Sequence, residues 1–284
     1  MLLNPTIKRL VRAITPPVIL ASFGGRRAQN DGTKFSGPYR SWHEAASNST
    51  GYCSEEVFDK VTASALRVKR GEAAYEIDSL VFDRIHYSWP VLAALLWVIA
   101  REDGRLHVCD LGGSLGTSYF QNRKFLSDFS NVRWNIVEQL GFVARGKALI
   151  EDERLRFYPT VEACLDECPC DVALLSGVLQ YLEAPYEALD EIIARQFRYI
   201  IVDRTPFISA GVDLIAVQHV PPEIYHASCP AWFFSERKFV LMLEKNYQLV
   251  EQFDNFASYE VAELQAKMKG FIFRCSRMPV CHVD

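Results

Sequence analysis

The run Leu106-His107-Val108-Cys109-Asp110-Leu111-Gly112-Gly113-Ser114-Leu115-Gly116 decides the fold of this chain. It reads as a short apolar strand ending in an acid, then a glycine-rich turn, then the start of a helix. A second strand, from Trp134 to Val137, delivers another acid, Glu138, about 22 residues beyond Gly116. Glycines let the backbone approach a ligand closely, and an acid at the end of the second strand grips ribose hydroxyls. The stretch therefore predicts a Rossmann-type crossover that holds a nucleoside.

Spacing narrows the ligand. A dinucleotide fingerprint needs G-x-G-x-x-G so that a helix N-terminus meets a pyrophosphate. Read from Gly112, that pattern asks for glycine at Ser114 and Thr117; read from Gly113, it asks for glycine at Leu115 and Ser118. Neither register fits, and no G-x-x-x-x-G-K-[ST] phosphate loop occurs. What is left is acid-x-Gly-Gly-x-x-Gly, suited to a nucleoside ligand without a pyrophosphate.

Downstream of Leu106, short apolar strands alternate with amphipathic helices. Strands are expected over 106–110, 133–138, 154–158, 171–176 and 199–203. Helical segments are expected over 117–129, 140–151, 160–167 and 184–197. Such alternation implies a mostly parallel sheet with helices on both faces. A Pro- and aromatic-rich stretch, 205–234, follows, then a helix from about Ser235. Two closing strands, 247–253 and 270–276, predict an antiparallel hairpin element at one edge.

Upstream, residues 23–50 read as loop, being rich in Gly, Asn, Ser, Arg and Lys. A helix capped by Ser54 follows, with Val57, Val61, Ala65 and Val68 at helical spacing and Gly71 as its stop. Glu72 to Ile85 and Ser88 to Arg101 are read as two further helices, the second with Pro90 in its first turn. The expected division is a mainly helical N-terminal region, 1–103, and a Rossmann-like domain, 104–284.

Composition sets outer bounds. The chain has 284 residues, 49% hydrophobic and 23% charged, with a formal net charge of -4. That charge gives no support to nucleic-acid binding. The longest apolar run, Trp89 to Ala100, has the length of a buried core helix rather than a bilayer span. Met1 to Ser22 carries Lys8, Arg9 and Arg12 among its apolar residues, a poor secretory signal. It reads as a helix packed on its own domain or frayed, with an amphipathic helix touching a membrane surface as the alternative. Eight cysteines in a chain of this length suit reduced thiols and a cytoplasmic protein better than a disulfide framework. Cys164, Cys168 and Cys170 form a C-x3-C-x-C cluster. Structural zinc uses two matched pairs, and Cys275, Cys281 and His282 do not supply the second, so no metal is expected.

The glycine turn resembles motif I of class I S-adenosylmethionine-dependent methyltransferases, D-x-G-x-G-x-G. Asp110, Gly112 and Gly116 match it, Ser114 replaces the central glycine and Gly113 sits one place early. Glu138 matches the acid that such enzymes place on the ribose. Asp171 to Leu182 resembles their fourth strand and its loop. A narrower resemblance covers residues 41–240, through the strings Gly71 to Glu76, Gly112 to Gln121, Val137 to Gln139, Val178 to Leu182, Asp203 to Phe207 and Val220 to Tyr225. Together these are similar to an uncharacterised bacterial family often encoded among surface-polysaccharide genes. Its methyltransferase activity is inferred from its fold.

The resemblance implies S-adenosylmethionine as cofactor, held by Asp110, Gly112, Gly113, Gly116, Glu138 and Ser176. It implies a small-molecule or glycan acceptor, with Tyr181, Arg204 and Tyr225 as substrate-positioning residues. Transfer to a sugar hydroxyl needs a base, for which Asp203, His219 and His226 are the candidates. Arg204 is read either as the partner of a substrate phosphate or as a salt bridge to Asp203 or Asp78. The aromatic residues Trp42, Tyr52, Tyr75, Tyr87 and Trp89 are read as core. Tyr119 is placed near the methionine end of the cofactor. The rival reading is a non-catalytic nucleoside- or partner-binding module within a polysaccharide assembly complex.

Overall fold

The computed structural model describes residues 34–51, 55–77, 79–220, 227–261 and 264–276. The N-terminal segment 1–22, the cap Ser54, and the residues Tyr52, Asp78, Tyr225, His226, Cys281 and His282 fall outside these ranges. In chain order the strands are β1 (Lys34–Tyr39), β2 (Tyr75–Ile77), β3 (Leu80–Phe82), β4 (Arg105–Leu111), β5 (Asn131–Val137) and β6 (Leu155–Tyr158). They continue with β7 (Val172–Ser176), β8 (Tyr199–Ile208), β9 (Leu214–His219), β10 (Ser228–Ser235), β11 (Tyr247–Val261) and β12 (Leu264–Cys275).

Strands β6, β5, β4, β7 and β8 are mutually parallel in that spatial order. β12 lies antiparallel to β8 along the length of β8 from Tyr199 to Ile208, and β11 closes the edge antiparallel to β12. This is the strand order of the class I methyltransferase fold, a parallel Rossmann-like sheet with one reversed strand inside its edge. The five parallel strands and the closing hairpin stand where the sequence placed them.

Burial on both faces explains why the parallel strands read as unbroken apolar runs. Along them, neighbouring residues alternate between two cores. Val108, Trp134, Ile136, Leu174 and Ile201 enter the core shared with helices Glu55–Lys69, Trp89–Arg101 and Thr117–Leu126. Cys109, Ala173, Leu175, Ile200 and Val202 enter the core shared with helices Val161–Glu167, Pro185–Ala194 and Glu236–Leu243. Helices before the glycine turn thus supply much of one of the three layers.

Three segments differ from the sequence reading. Glu72 to Ile85 does not form a helix: Tyr75↔Phe82, Glu76↔Val81 and Ile77↔Leu80 pair as a hairpin, with Ser79 at φ +71 turning the chain. Alternating aromatic and β-branched residues win there over a helical period of comparable length. Residues 34–47 are not loop. They hold β1 and a short helix, Trp42–Ser47, whose N-cap Ser41 accepts the N–H of Glu44. β1 carries Gly37 and Pro38, which a sheet admits on an edge strand. Finally, the described part of the Pro- and aromatic-rich stretch 205–234, for which no strand was expected, is largely sheet. β8 runs on to Ile208, β10 pairs with its end in parallel, and β9 and β1 follow antiparallel.

That last arrangement positions the site. β7 pairs with β8 only over Tyr199–Asp203, whereas β10 pairs with Phe207 and Ile208. Since β12 occupies the other edge of β8 throughout, the β10–β9–β1 unit stands beyond the C-terminal end of β7. No helix among the described residues is long and apolar enough to cross a membrane.

Phe207 joins these parts: it is 2% exposed and its ring lies 5.0 Å from Phe271, 5.1 Å from Phe239 and 6.0 Å from Phe234. Phe207→Ala is expected to lower unfolding stability by about 3–5 kcal/mol in denaturant titrations. Leu241→Ala, at an exposed helical position, should change it by less than about 0.5 kcal/mol.

Candidate functional site

In an open α/β sheet the ligand crevice lies beyond the carboxyl ends of the strands. Here that end gathers Asp110 (β4), Glu138 (after β5), Ser176 (β7) and Asp203 with Arg204 (β8). Asp110 is buried, and its Oδ2 accepts the indole N–H of Trp134 at 2.9 Å. The glycine turn folds directly over it. A Cβ on Gly113 would stand 2.6 Å from Asp110 Oδ2, so only glycine permits this closeness. Burial pushes the Asp110 carboxyl up to about 7, against the Trp134 hydrogen bond and Arg204, with Glu138 adding to the rise.

Glu138 is buried at the neighbouring strand end. Its Oε2 accepts the N–H of Gln139 at 2.7 Å, and its Oε1 accepts the N–H of Ser114 at 3.3 Å. Glu138 and the glycine turn therefore meet. Ser114 sits at φ +52, between Gly112 at +69 and Gly116 at +103. The serine takes the left-handed conformation that glycine enters freely, so the turn keeps its path at a steric cost.

On the other side of Asp110, Ser176 Oγ donates to Asp203 Oδ2 at 3.1 Å and accepts from Arg204 Nε at 3.0 Å. Asp203 Oδ1 accepts from Asn255 at 2.8 Å, and Arg204 Nε lies 3.8 Å from Asp203 Oδ2. Of the roles read for Arg204, the ion pair with Asp203 is present. Arg204 itself lies at φ +49 and Gly177 at +70, two left-handed residues side by side at the strand ends.

Next to this node lies a pocket lined by Gln180, Tyr181, Gln218, Phe35, Phe233 and Met268, among others. Tyr181 donates its hydroxyl hydrogen to Gln218 Oε1 at 2.8 Å. Gln180 donates to the Arg204 carbonyl at 3.1 Å, while its buried Oε1 has no hydrogen-bond partner among the described residues. His219 follows Gln218 on β9 and so points to the opposite face, where it meets Ser36 Oγ at 2.9 Å. The structure thus separates His219 from the pocket that Tyr181 and Gln218 line.

The site also draws on residues that the sequence reading left without a role. Trp134 anchors Asp110, Asn255 holds Asp203, and Gln180 and Gln218 furnish the pocket's amides. Thr117, the first residue after the turn, donates to the buried Glu76 of the β2–β3 hairpin. Glu76 stood in one of the quoted strings without a role, and its partner lies 41 residues away. Tyr119 donates to Asp152 at 3.2 Å and packs against Phe120 and Trp134. Tyr75 is core as expected, Trp42 stacks on Trp232, and Trp89 is instead 59% exposed beside Tyr87 and Phe125. No group of three metal-ligating side chains suited to a metal ion occurs among the described residues.

No family model and no curated protein sequence matches the chain. Among solved structures, it is similar to the N-terminal domain of EvdMO1, determined with SAH and D-fucose, at 14% identity and a TM-score of 0.47, over 74% of this chain and 95% of that one. It is similar to magnesium protoporphyrin IX methyltransferase (ChlM) from Synechocystis PCC 6803 at 13% identity and 0.41, over 66% and 79%. The N-methyltransferase NodS from Bradyrhizobium japonicum WM9 follows at 12% and 0.39, over 68% and 90%.

Asp110 gives a pH signature. Its carboxyl titrates higher in the folded chain than in the unfolded one, so folding retains a proton that unfolding releases between about pH 4 and pH 7. Stability from this group is full below pH 4 and lost as pH rises to 7. The wild type should therefore lose stability relative to Asp110→Asn across that window, by up to roughly 1.4 kcal/mol per pH unit, and run parallel to it above pH 7. Ser114→Gly should raise stability by about 1 kcal/mol in the same denaturant titrations by relieving the left-handed serine.

Proposed function

We propose that the chain is an S-adenosylmethionine-dependent methyltransferase that O-methylates a sugar or surface-glycan precursor. One observation carries the reading: the Glu138 carboxylate, buried at the end of β5, faces the glycine turn and touches the Ser114 N–H. The residues suit the cofactor. Glu138 would take the ribose hydroxyls, the turn from Gly112 to Gly116 would lie against the nucleoside, and Asp110 beneath it fixes the turn. When bound, the cofactor supplies a sulfonium methyl open to in-line displacement.

The remaining work is positioning, which alone can supply a large share of such a barrier. The cleft lined by Gln180, Tyr181 and Gln218, next to Arg204 through the Gln180 hydrogen bond, has room for about one water, so the sugar acceptor rests on the family resemblance. Asp203 is the proposed proton acceptor, reached through Ser176: the attacking hydroxyl gives its proton to Ser176 Oγ as Oγ–H passes to Asp203 Oδ2. Arg204 orients Ser176. Tyr181 shapes the pocket wall, His219 faces away from it and is set aside as a base, and Tyr225 and His226 keep the roles read from sequence. The proposed setting is the cytoplasm, in keeping with the free cysteines among the described residues.

Calorimetric titration with S-adenosylmethionine tests the first step. Micromolar binding is expected for wild type, and Glu138→Ala and Glu138→Gln should weaken it by about 100-fold or more through loss of charge-assisted bonds to two hydroxyls. Absence of wild-type binding would contradict the reading. Asp203→Asn should bind the cofactor normally yet transfer labelled methyl into a surface-polysaccharide fraction at least about 100-fold more slowly. Binding without transfer by wild type would favour the non-catalytic module.

A further inference from the structure

At the opposite, N-terminal ends of β4 and β7 lies a cluster that the proposed function does not use. His107 of β4 presents Nδ1 to the Pro169 carbonyl at 3.1 Å and Nε2 to Asn131 Oδ1 at 3.0 Å. The Pro169 carbonyl requires an N–H at Nδ1, and the hydrogen bonds with Cys168, Asn131 and Pro169 raise the ring's pKa above its ordinary value, which favours the imidazolium. Cys168 Sγ lies 3.8 Å from the same Nδ1 and is partly exposed. Cys170, two residues on, donates its S–H to the Cys168 carbonyl at 3.2 Å, accepts from Asn135 at 3.4 Å, and lies 3.9 Å from the buried Cys164.

We propose that Cys168 is an activated thiolate, paired with the His107 imidazolium, which hydroperoxides oxidise to a disulfide with Cys170. An imidazolium beside a partly exposed cysteine is the setting that makes a thiol reactive, whereas buried thiols in apolar surroundings are inert. The neighbours sort themselves accordingly. Hydrogen bonds from Cys170 and His107 pull the Cys168 thiol well below the ordinary range, while contacts with Cys109 hold Cys164 well above it. The groups facing Cys168 are His107 on β4, the thiols Cys164 and Cys170, and Tyr158 on β6, which is bonded to Glu167.

Two steps balance the chemistry. The Cys168 thiolate attacks the peroxide, forming S–O as O–O breaks, and the departing hydroxide or alkoxide takes up a proton. The Cys170 thiol then attacks the sulfenic sulfur, S–S forms, S–O breaks, and water leaves with the thiol proton. The two thiols lose two electrons and the peroxide gains them.

The test uses the full reduced chain. With iodoacetamide at pH 6, Cys168 should alkylate at least tenfold faster than the partly exposed Cys275, and His107→Gln should remove that advantage. After hydrogen peroxide, peptide mass spectrometry should find Cys168 linked to Cys170. Cys168→Ser should abolish the link, and Cys170→Ser should leave a Cys168 sulfenate that dimedone captures. Equal alkylation rates in wild type, both thiols left free after peroxide, or a disulfide that omits Cys168 would overturn the proposal.

Discussion

The site depends on the burial of one carboxylate. Asp110, near the end of β4, is almost wholly buried, held by one indole N–H and covered by a turn whose Gly113 has no room for a Cβ. A buried acid is costly unless its hydrogen bonds are arranged. Three constraints follow from accommodating it. Trp134 must fill the neighbouring strand, the turn must pass through left-handed conformations at Gly112, Ser114 and Gly116, and Glu138 must stand where the turn's N–H groups can reach it. The geometry that suits a nucleoside is thus a product of how the chain buries Asp110.

The second organising fact is the length of β8. It outruns β7, and the protruding end recruits β10, β9 and β1, so an antiparallel unit rises over the strand ends. Residues from distant parts of the chain meet there: Phe35 from the first described strand, Gln180 and Tyr181 from the turn after β7, Gln218 from β9 and Met268 from the closing hairpin.

The parallel core was legible because its strands are buried on both faces and its helices keep a plain amphipathic period. The strand-end positions of Asp110 and Glu138 were legible because each closes an apolar run. What escaped the sequence reading depends on long-range pairing. Tyr75 to Phe82 carries enough apolar residues for either period, and only the hairpin's placement of Glu76 against Thr117 decides for strand. β1 hides behind Gly37 and Pro38 because an edge strand tolerates both. Gln180 and Gln218 carry no local pattern, and His219 points away from the pocket because strand alternation, fixed by β9 pairing, sends Gln218 inward.

The central claim is that the turn over Asp110 and the acid at Glu138 hold the nucleoside of S-adenosylmethionine. Native mass spectrometry of the protein, purified and then incubated with an equimolar mixture of S-adenosylmethionine, NAD and FAD, tests this in one experiment. The account predicts a complex with the mass of S-adenosylmethionine, or of its demethylated product, and none with either dinucleotide. Retention of NAD or FAD in its place would contradict it.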